Sequence, residues 1–263
     1  MPQRKLAGTK LHFADSGTGP AVLLLHAFPL SGAMWKKQIA PLRGSFRLIA
    51  PDLPGFGGSQ PPSSPVSIAG FAGLALELLD ALGVDKAAVV GLSMGGYVAL
   101  ELQAAAPQRV GALALCDTRS HADTDDGKRA REASARAVEE EGSTEPLIER
   151  LLPNLLSPSA SPELRREVER LIGDTSVEGA AAAQRAIARR RDFTRELGKI
   201  GCPTLVLVGS HDTLSTPAEM QRIAQALPKA RFQTIFGAGH LSNIEKPDAF
   251  NSALRSFLDE VLG

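Results

Sequence analysis

Short apolar runs recur along the chain, and longer stretches with helical periodicity separate them. Six of these runs are short enough to be strands: 21–25, 47–50, 87–90, 112–115, 204–208 and 232–236. Several are apolar at every position, which is typical of parallel strands buried on both faces. Apolar residues also recur at steps of three and four from Ile68 to Leu82, which predicts a helix that ends at Gly83. Strand and helix in alternation predict a doubly wound α/β sheet.

A highly charged segment interrupts this alternation. Residues 119–195 carry 29 Asp, Glu, Lys and Arg side chains, half of the chain's total in less than a third of its length. The segment shows no strand pattern and is rich in good helix formers. Three prolines are expected to divide it into short helices: Pro153, Pro158 and Pro162. We predict a core domain of residues 1–118 and 196–263 and an inserted helical cap of 119–195, with solvated surface helices as the alternative.

Composition and charge exclude several classes of function. Hydrophobic residues make up 43% of the chain, and 29 basic side chains balance 29 acidic ones. This balance gives no electrostatic attraction for nucleic acid or an anionic membrane. No signal peptide or membrane-spanning run is apparent, and Cys116 and Cys202 lack the spacing of a metal or redox site. We expect a cytoplasmic protein with reduced thiols, no metal, no cofactor, and no nucleic-acid or membrane partner.

The most informative motif is a serine between two glycines at the end of an apolar run. In "VVGLSMGG", Ser93 lies two residues from both Gly91 and Gly95. This pattern is typical of a sharp strand-to-helix turn that exposes a nucleophilic serine above a sheet, although ordinary surface loops also collect glycine and serine. A serine hydroxyl is a weak nucleophile at neutral pH, so it needs a base and a third group that orients the base.

Two later loops offer those partners. His240 follows the apolar run 232–236, and Asp212 follows the run 204–208. Serine, acid and histidine in this chain order, each on a loop after a strand, form one known arrangement of a catalytic triad. Asp117 also follows an apolar run and is the alternative acid. The sequence therefore predicts a triad of Ser93, His240 and one of two aspartates, with Asp212 preferred.

Five segments together resemble the α/β-hydrolase family. They are LLLHAFP (23–29), IAPDLPGFGGS (49–59), GLSMGG (91–96), PTLVLVGSHD (203–212) and GAGHLSNIEKP (237–247). The resemblance covers almost the whole chain outside the predicted cap. It implies that Ser93 is the nucleophile, His240 the general base and Asp212 the orienting acid. It also implies an oxyanion hole formed by the backbone N–H groups of Phe28 and Met94.

Other residues of these loops have different expected roles. Ala27 stands where the family commonly has glycine; alanine keeps the backbone donor but disfavours positive φ. His26 is interpreted as structural and His211 as a bystander beside the acid. Asp52 and Gly55–Gly58 are expected to shape a loop, because their spacing does not match a phosphate-binding fingerprint. Four apolar residues near the catalytic loops are predicted to line a substrate pocket, with core packing as the alternative: Leu30, Trp35, Leu214 and Leu241.

A serine nucleophile with an oxyanion hole suits acyl transfer from an ester, thioester, amide or lactone. The resemblance implies a hydrolase of carboxylic esters with small to medium acyl groups, and it extends to 3-oxoadipate enol-lactonases. A ligand receptor or a lyase that keeps the triad is an alternative of another class. Near the end of the cap, Arg189, Arg190 and Arg191 are interpreted as a surface charge run or, alternatively, as the source of one guanidinium that binds a substrate carboxylate.

Overall fold

The structure, a computed structural model, describes residues 3–6 and 8–263. Within these residues the chain forms eight strands: β1 (Gln3–Leu6), β2 (Thr9–Ser16), β3 (Ala21–Leu25), β4 (Arg47–Pro51), β5 (Ala87–Leu92), β6 (Val110–Cys116), β7 (Thr204–Gly209) and β8 (Ala230–Ile235). They form one sheet in the order β1-β2-β4-β3-β5-β6-β7-β8. β2 pairs antiparallel with β1 and β4, and the other neighbouring pairs are parallel. The predicted doubly wound, mostly parallel sheet is confirmed.

The described residues form these α-helices: α1 (Lys36–Leu42), α2 (Ile68–Ala81), α3 (Met94–Ala105), α4 (Asp125–Glu141), α5 (Glu145–Leu155), α6 (Pro162–Gly173), α7 (Val177–Ala188), α8 (Pro217–Ala226), α9 (Ser242–Glu245) and α10 (Pro247–Leu262). α1 packs against α10, whereas α2 packs against α3. Every residue of β5 and β7 is buried, as expected for strands with helices on both faces. None of the helices in the described part of the chain is long and apolar enough to cross a bilayer.

The six predicted strands correspond to β3–β8, with ends that differ by at most two residues. β1 and β2 are not among the predicted strands. In β2, Leu11 and Phe13 are buried and their neighbours are more exposed, so its signal is a period of two rather than a continuous apolar run. The predicted helix is α2. It begins after Ser67, whose hydroxyl accepts the N–H of Gly70, and Gly83 follows its end with φ of 65°.

The charged segment folds as the four helices α4–α7, called the cap helices below, and no strand lies within 125–188, all of which the structure describes. One expectation about the prolines is wrong. Pro162 is the first residue of α6 and Pro158 lies in the loop before it, but Pro153 lies inside α5. Pro153 is in the last turn of α5, where its missing N–H removes a single helical bond. The domain boundaries at 118/119 and 195/196 stay a prediction.

Two side-chain hydrogen bonds tie the turn between α6 and α7 to the sheet domain. The hydroxyl of Thr175 donates to the carbonyl of Pro29, at 2.7 Å, in the loop after β3. The hydroxyl of Ser176 donates to the carbonyl of Gly55, at 2.9 Å, in the loop after β4. The cap helices are therefore fixed directly to two loops at the carboxyl ends of parallel strands, where open α/β sheets bind their ligands.

Candidate active site

Ser93 lies at a strained turn between β5 and α3. Its φ of 54° and ψ of −114° lie outside the regions that L-residues usually adopt. The Ser93 N–H donates to the carbonyl of Cys116 at 3.0 Å, and the Ser93 carbonyl accepts the hydroxyl of Thr118 at 2.7 Å. These bonds to the end of β6 hold the turn in its strained conformation. The geometry is that of a nucleophile elbow, which lifts the serine side chain above the sheet.

The glycines around Ser93 are required by close approach of the backbone. A Cβ on Gly91 would lie 2.2 Å from the carbonyl oxygen of Gly95, and a Cβ on Gly95 would lie 2.1 Å from the carbonyl oxygen of Leu25. Both distances are far below van der Waals contact, and the obstructing atoms belong to the backbone. Any side chain at either position would therefore displace α3 from β5 or β3.

Asp212 and His240 meet after β7 and β8. The Nδ1 of His240 lies 2.9 Å from Oδ2 of Asp212, and both residues are almost fully buried. The other Asp212 oxygen, Oδ1, accepts the N–H groups of Leu214 and Ser215 at 2.8 and 3.0 Å, and the Ser215 hydroxyl donates to Oδ2. Because Oδ2 holds Nδ1 in place, the second ring nitrogen, Nε2, is the one available for proton transfer.

The pKa of Asp212 reflects this environment. Burial alone would raise it, but the charge of His240 and the hydrogen bonds from His240 and Ser215 hold the pKa of Asp212 below its ordinary value. The carboxyl group is therefore ionised over the neutral range. An ionised carboxylate at this position can orient the imidazole and stabilise its protonated form.

Asp117, the alternative acid, has a different set of partners. Its carboxyl group accepts the N–H of Gly209 at 2.7 Å through Oδ1 and the hydroxyl of Ser242 through Oδ2. Burial, followed by the charge of Asp212, raises the pKa of Asp117 well above its usual range. Asp117 therefore links the ends of β6 and β7 to α9, whereas Asp212 is the aspartate that contacts the His240 ring.

The loop after β3 presents a free backbone donor to the same region. The Nε2 of His26 accepts the N–H of Leu53 at 3.0 Å, so Nδ1 carries the proton and donates to the carbonyl of Ala27 at 3.0 Å. Burial lowers the pKa of His26, which keeps the ring neutral. These bonds make His26 a structural residue. The N–H of Phe28 bonds to none of the residues that the structure describes.

These groups surround a cavity of about 240 Å³. Four of the five predicted catalytic and oxyanion residues line its walls: Phe28, Ser93, Met94 and His240. The fifth, Asp212, lies behind His240. Met94 is the first residue of α3, where N–H groups have no partner within the helix. Cap residues close the opposite side, among them Leu151 and Leu155. The structure thus brings a strained serine, a paired histidine and two backbone positions to one cavity.

Of the four residues predicted to line the pocket, only Leu214 lies on the cavity wall. Leu30, Trp35 and Leu241 are fully buried in the hydrophobic core instead. Trp35, for example, packs against Phe250 with ring centroids 6.1 Å apart. For these three residues the core alternative holds, because a position beside a catalytic loop does not determine which way a side chain points.

The run of three arginines does not line the cavity. Arg189 is exposed, Arg191 pairs with Glu196, and Arg190 is buried against Tyr97 and Asp123. Three other arginines lie on the cavity wall: Arg119, Arg131 and Arg150. Sequence reasoning missed them, although Arg119 follows β6 by only three residues, the same kind of position that identified the residues after β5 and β7.

A larger cavity, of about 870 Å³, lies beside His12 and Asp52, and none of the residues proposed for the triad lines it. The Nδ1 of His12 is 2.6 Å from Asp52, which also accepts the N–H groups of Gly32 and Gly58 at 2.8 and 2.9 Å. Asp52 therefore shapes the loops after β3 and β4, as the sequence indicates. The smaller cavity is the candidate active site, because it alone of the two contains the strained serine.

Residues 20–247 match the model of the alpha/beta hydrolase fold family. In three dimensions the chain is similar to a thermophilic esterase from Thermogutta terrifontis, with 38% identity, a TM-score of 0.97 and full coverage of both chains. It is also similar to the enol-lactonase from Burkholderia xenovorans LB400, with 32% identity, a TM-score of 0.91 and coverage of 98% of this chain and 100% of that one.

In sequence, the chain is 29% identical over 245 residues to 3-oxoadipate enol-lactonase 1 of Acinetobacter baylyi, a match that covers 92% of this chain and 90% of the relative. The family match extends from the start of β3 to the start of α10 and so includes the loops that carry Ser93, Asp212 and His240. The sheet topology, the sharp turn after β5 and these similarities all indicate the same fold family. The chain belongs to the alpha/beta hydrolase fold family.

Proposed function

We propose that the protein is a serine hydrolase that cleaves carboxylic esters of small to medium acyl groups through an acyl-enzyme on Ser93. One observation carries the proposal: a serine at a strained elbow and a histidine paired with a buried aspartate line the same cavity. A strained backbone costs free energy and a buried ion pair adds little stability, so both features together favour a functional role. Similarity to an esterase and to enol-lactonases supports the same chemistry.

In the proposed mechanism, Ser93 Oγ attacks the ester carbonyl carbon while Nε2 of His240 accepts the hydroxyl proton. Among the described residues no hydrogen bond joins Ser93 to His240 before substrate binds; such bonds are often long in free enzymes and shorten in the complex. Asp212 keeps the imidazole in the correct tautomer. The N–H groups of Phe28 and Met94 donate to the oxyanion, and each such donor contributes about 3 kcal/mol to transition-state stabilisation.

The tetrahedral intermediate collapses when His240 returns its proton to the departing alcohol oxygen. A water molecule then attacks the acyl-enzyme with His240 again as the base, and the second collapse releases the carboxylic acid and restores Ser93. The cap helices, which we propose form a lid of residues 119–195, exclude bulk water and strengthen the electrostatic interactions inside the cavity.

A second candidate is lactone hydrolysis, favoured by the similarity to two enol-lactonases that this chain covers almost completely. A lactone is a cyclic ester, so the same residues act in the same order. The difference is that the leaving alcohol stays attached to the acyl group. Preference between the two substrates is therefore decided by the shape and charge of the cavity rather than by the triad.

The test is turnover of p-nitrophenyl acetate and butyrate and of a panel of simple lactones by the wild type and by Ser93→Ala. We expect many turnovers per active site in the wild type and none above background in the variant. Ser63→Ala, an exposed serine on another loop, is the matched control and should retain full activity. Tight ligand binding without turnover would instead support a receptor, and carbon–oxygen or carbon–carbon cleavage without water addition would support a lyase.

A further inference from the structure

We infer that Arg119 selects substrates that carry a carboxylate in addition to the ester or lactone bond, an inference that rests on the proposed hydrolase function. Arg119 follows β6 and lines the cavity that contains Ser93. It is a different residue from the three arginines that the sequence singles out, and it lies in the loop between β6 and α4 rather than on a cap helix. The inferred substrate class therefore rests on an arginine in the loop directly after a strand.

The first observation is an unsatisfied donor. The Nε of Arg119 is buried and has no hydrogen-bond partner among the residues that the structure describes. A guanidinium group is always charged and has five N–H donors, and a buried donor without a partner is unfavourable. A carboxylate accepts two parallel hydrogen bonds from guanidinium and would satisfy this group. The guanidinium therefore lacks a full set of acceptors, and an anionic ligand in the cavity that Arg119 lines would compensate its charge.

The other two cavity arginines are already engaged. Arg131 pairs with Asp123 and donates through Nη1 to the side chain of Gln184 at 3.0 Å. Arg150 donates through Nη1 to the carbonyl of Ala130 at 3.1 Å. These contacts hold both side chains against the cap helices. Arg119 differs because its Nε is both buried and without an acceptor within the described residues.

The second observation is the charge of the cavity wall. Of the described residues that line the cavity, three are arginines and one, Asp123, is acidic. Asp123 already pairs with Arg131 and also with Arg190, at 2.7 Å, which lies outside the cavity. The wall therefore carries excess positive charge, which attracts an anionic substrate.

Glu219, an acidic residue outside the cavity, is affected by the charge of Arg119 but does not pair with its Nε. Although burial raises the pKa of Glu219, hydrogen bonds from Thr216 and the charge of Arg119 bring it below its ordinary value. Its Oε2 accepts the N–H and the hydroxyl of Thr216, both at 2.9 Å, and its Oε1 faces His121 at 3.5 Å. Glu219 therefore caps α8 and balances part of the charge of Arg119, but it leaves Nε unpaired.

The experiment compares two ethyl esters of similar shape and different charge. Monoethyl succinate ends in a carboxylate, and ethyl 4-methylpentanoate ends in an isopropyl group of about the same size. Hydrolysis of both is followed by pH-stat for the wild type, Arg119→Gln, Arg119→Lys and Arg189→Gln. We expect Arg119→Gln to lower the ratio of kcat/KM for the acidic ester over the neutral ester by about tenfold or more, mainly through KM.

The other variants separate charge from structure. Arg119→Lys keeps the charge without the planar pair of donors, so its ratio should lie between those of the wild type and Arg119→Gln. Arg189→Gln removes an exposed arginine away from the cavity and should leave the ratio unchanged. An Arg119→Gln ratio within twofold of the wild type, or equal losses for both esters, would overturn the inference.

A binding measurement keeps this inference distinct from the proposed function. Calorimetric titration with succinate uses wild-type protein and Arg119→Gln and requires no turnover. A loss of succinate affinity of about tenfold in Arg119→Gln supports the anion site even if neither ester is hydrolysed, in which case only the hydrolase proposal fails. Equal succinate affinity in the two proteins overturns the anion site even if both esters are hydrolysed.

Discussion

The loops after the parallel strands and the cap helices form opposite walls of one cavity, but they are held in different ways. Backbone bonds and close packing fix the loop residues: Ser93 is held by two hydrogen bonds to the end of β6, and Asp212 accepts two backbone N–H groups. The cap helices bury apolar side chains such as Leu147 and Ile172, and the cap residues on the cavity wall are positioned by side-chain contacts such as the Arg131–Asp123 ion pair rather than by backbone bonds. The residues that we propose carry out the chemistry lie on the wall formed by the strand-end loops, called the rigid wall below, and a preorganised site is most effective on such a wall.

The largest expected effect comes from removing the proposed nucleophile or base on the rigid wall. Ser93→Ala and His240→Ala should each lower kcat by about 10⁴-fold or more. The double variant should lose little more, because the two residues act as one unit. Steady-state and single-turnover kinetics on p-nitrophenyl butyrate measure this. Losses that multiply in the double variant would show that the two side chains act independently.

The next effect separates the two aspartates that follow neighbouring strands. Asp212→Asn should lower kcat by about a thousandfold or more, because the imidazole loses the carboxylate that fixes its tautomer. Asp117→Asn should change kcat by less than tenfold, since Asp117 bonds to Gly209 and Ser242 rather than to His240. The same kinetic assay decides, and a reversed order would assign the acid to the loop after β6.

A smaller effect tests whether the cap holds the loop after β3, which carries the proposed oxyanion donor Phe28. Thr175→Val removes the hydrogen bond to the carbonyl of Pro29, the residue after Phe28, and keeps the side-chain volume. A lost hydrogen bond of about 1 kcal/mol predicts a roughly fivefold fall in kcat with little change in KM. Thr175→Ser should restore the wild-type rate. If Thr175→Val changed only the melting temperature, the cap would not contribute to the rate through this contact.

The mildest prediction concerns pH and Asp117. Because burial and Asp212 raise the pKa of Asp117, the folded protein keeps a proton that the unfolded chain releases above about pH 4. Rising pH therefore lowers the free energy of unfolding through this group. Asp117→Asn, which cannot ionise, should gain stability relative to the wild type between pH 5 and pH 8. Urea denaturation at both pH values measures the difference, and a parallel pH dependence in the two proteins would contradict it.

The sequence predicts the rigid wall better than the cap, for physical reasons. Parallel strands buried on both faces require continuous apolar runs, so β3–β8 and the loops after them can be located by inspection. β2 alternates buried and exposed residues, and its weaker pattern was missed. Ser93 and His240 follow such runs. Because a serine nucleophile needs a base and a group that orients the base, few residues qualify as its partners. The sequence prefers Asp212 but leaves Asp117 open, because both aspartates follow strands of the same sheet, and the structure adds that Asp212 contacts His240.

The side-chain directions could not be predicted in the same way. Leu30 and Trp35 are close in sequence to Phe28 yet point into the core, since neighbouring residues of a turn face different sides. In the cap, the run of three arginines is conspicuous in sequence, but Arg190 is buried against Asp123 while Arg119, with no charged neighbour in sequence, lines the cavity. Which arginine reaches the site depends on how the cap helices pack against the sheet, and local sequence does not encode that packing.

The central claim, that Ser93 is the nucleophile, is tested most directly by covalent trapping. Diethyl p-nitrophenyl phosphate, which phosphorylates serine hydrolases at the activated hydroxyl, is incubated with the wild type and with Ser93→Ala, and the products are analysed by intact mass and peptide mapping. We predict one diethylphosphoryl group per wild-type chain, located on Ser93, with loss of esterase activity in proportion to labelling, and no label on Ser93→Ala. Labelling at another residue, or full activity after Ser93 is labelled, would contradict the account.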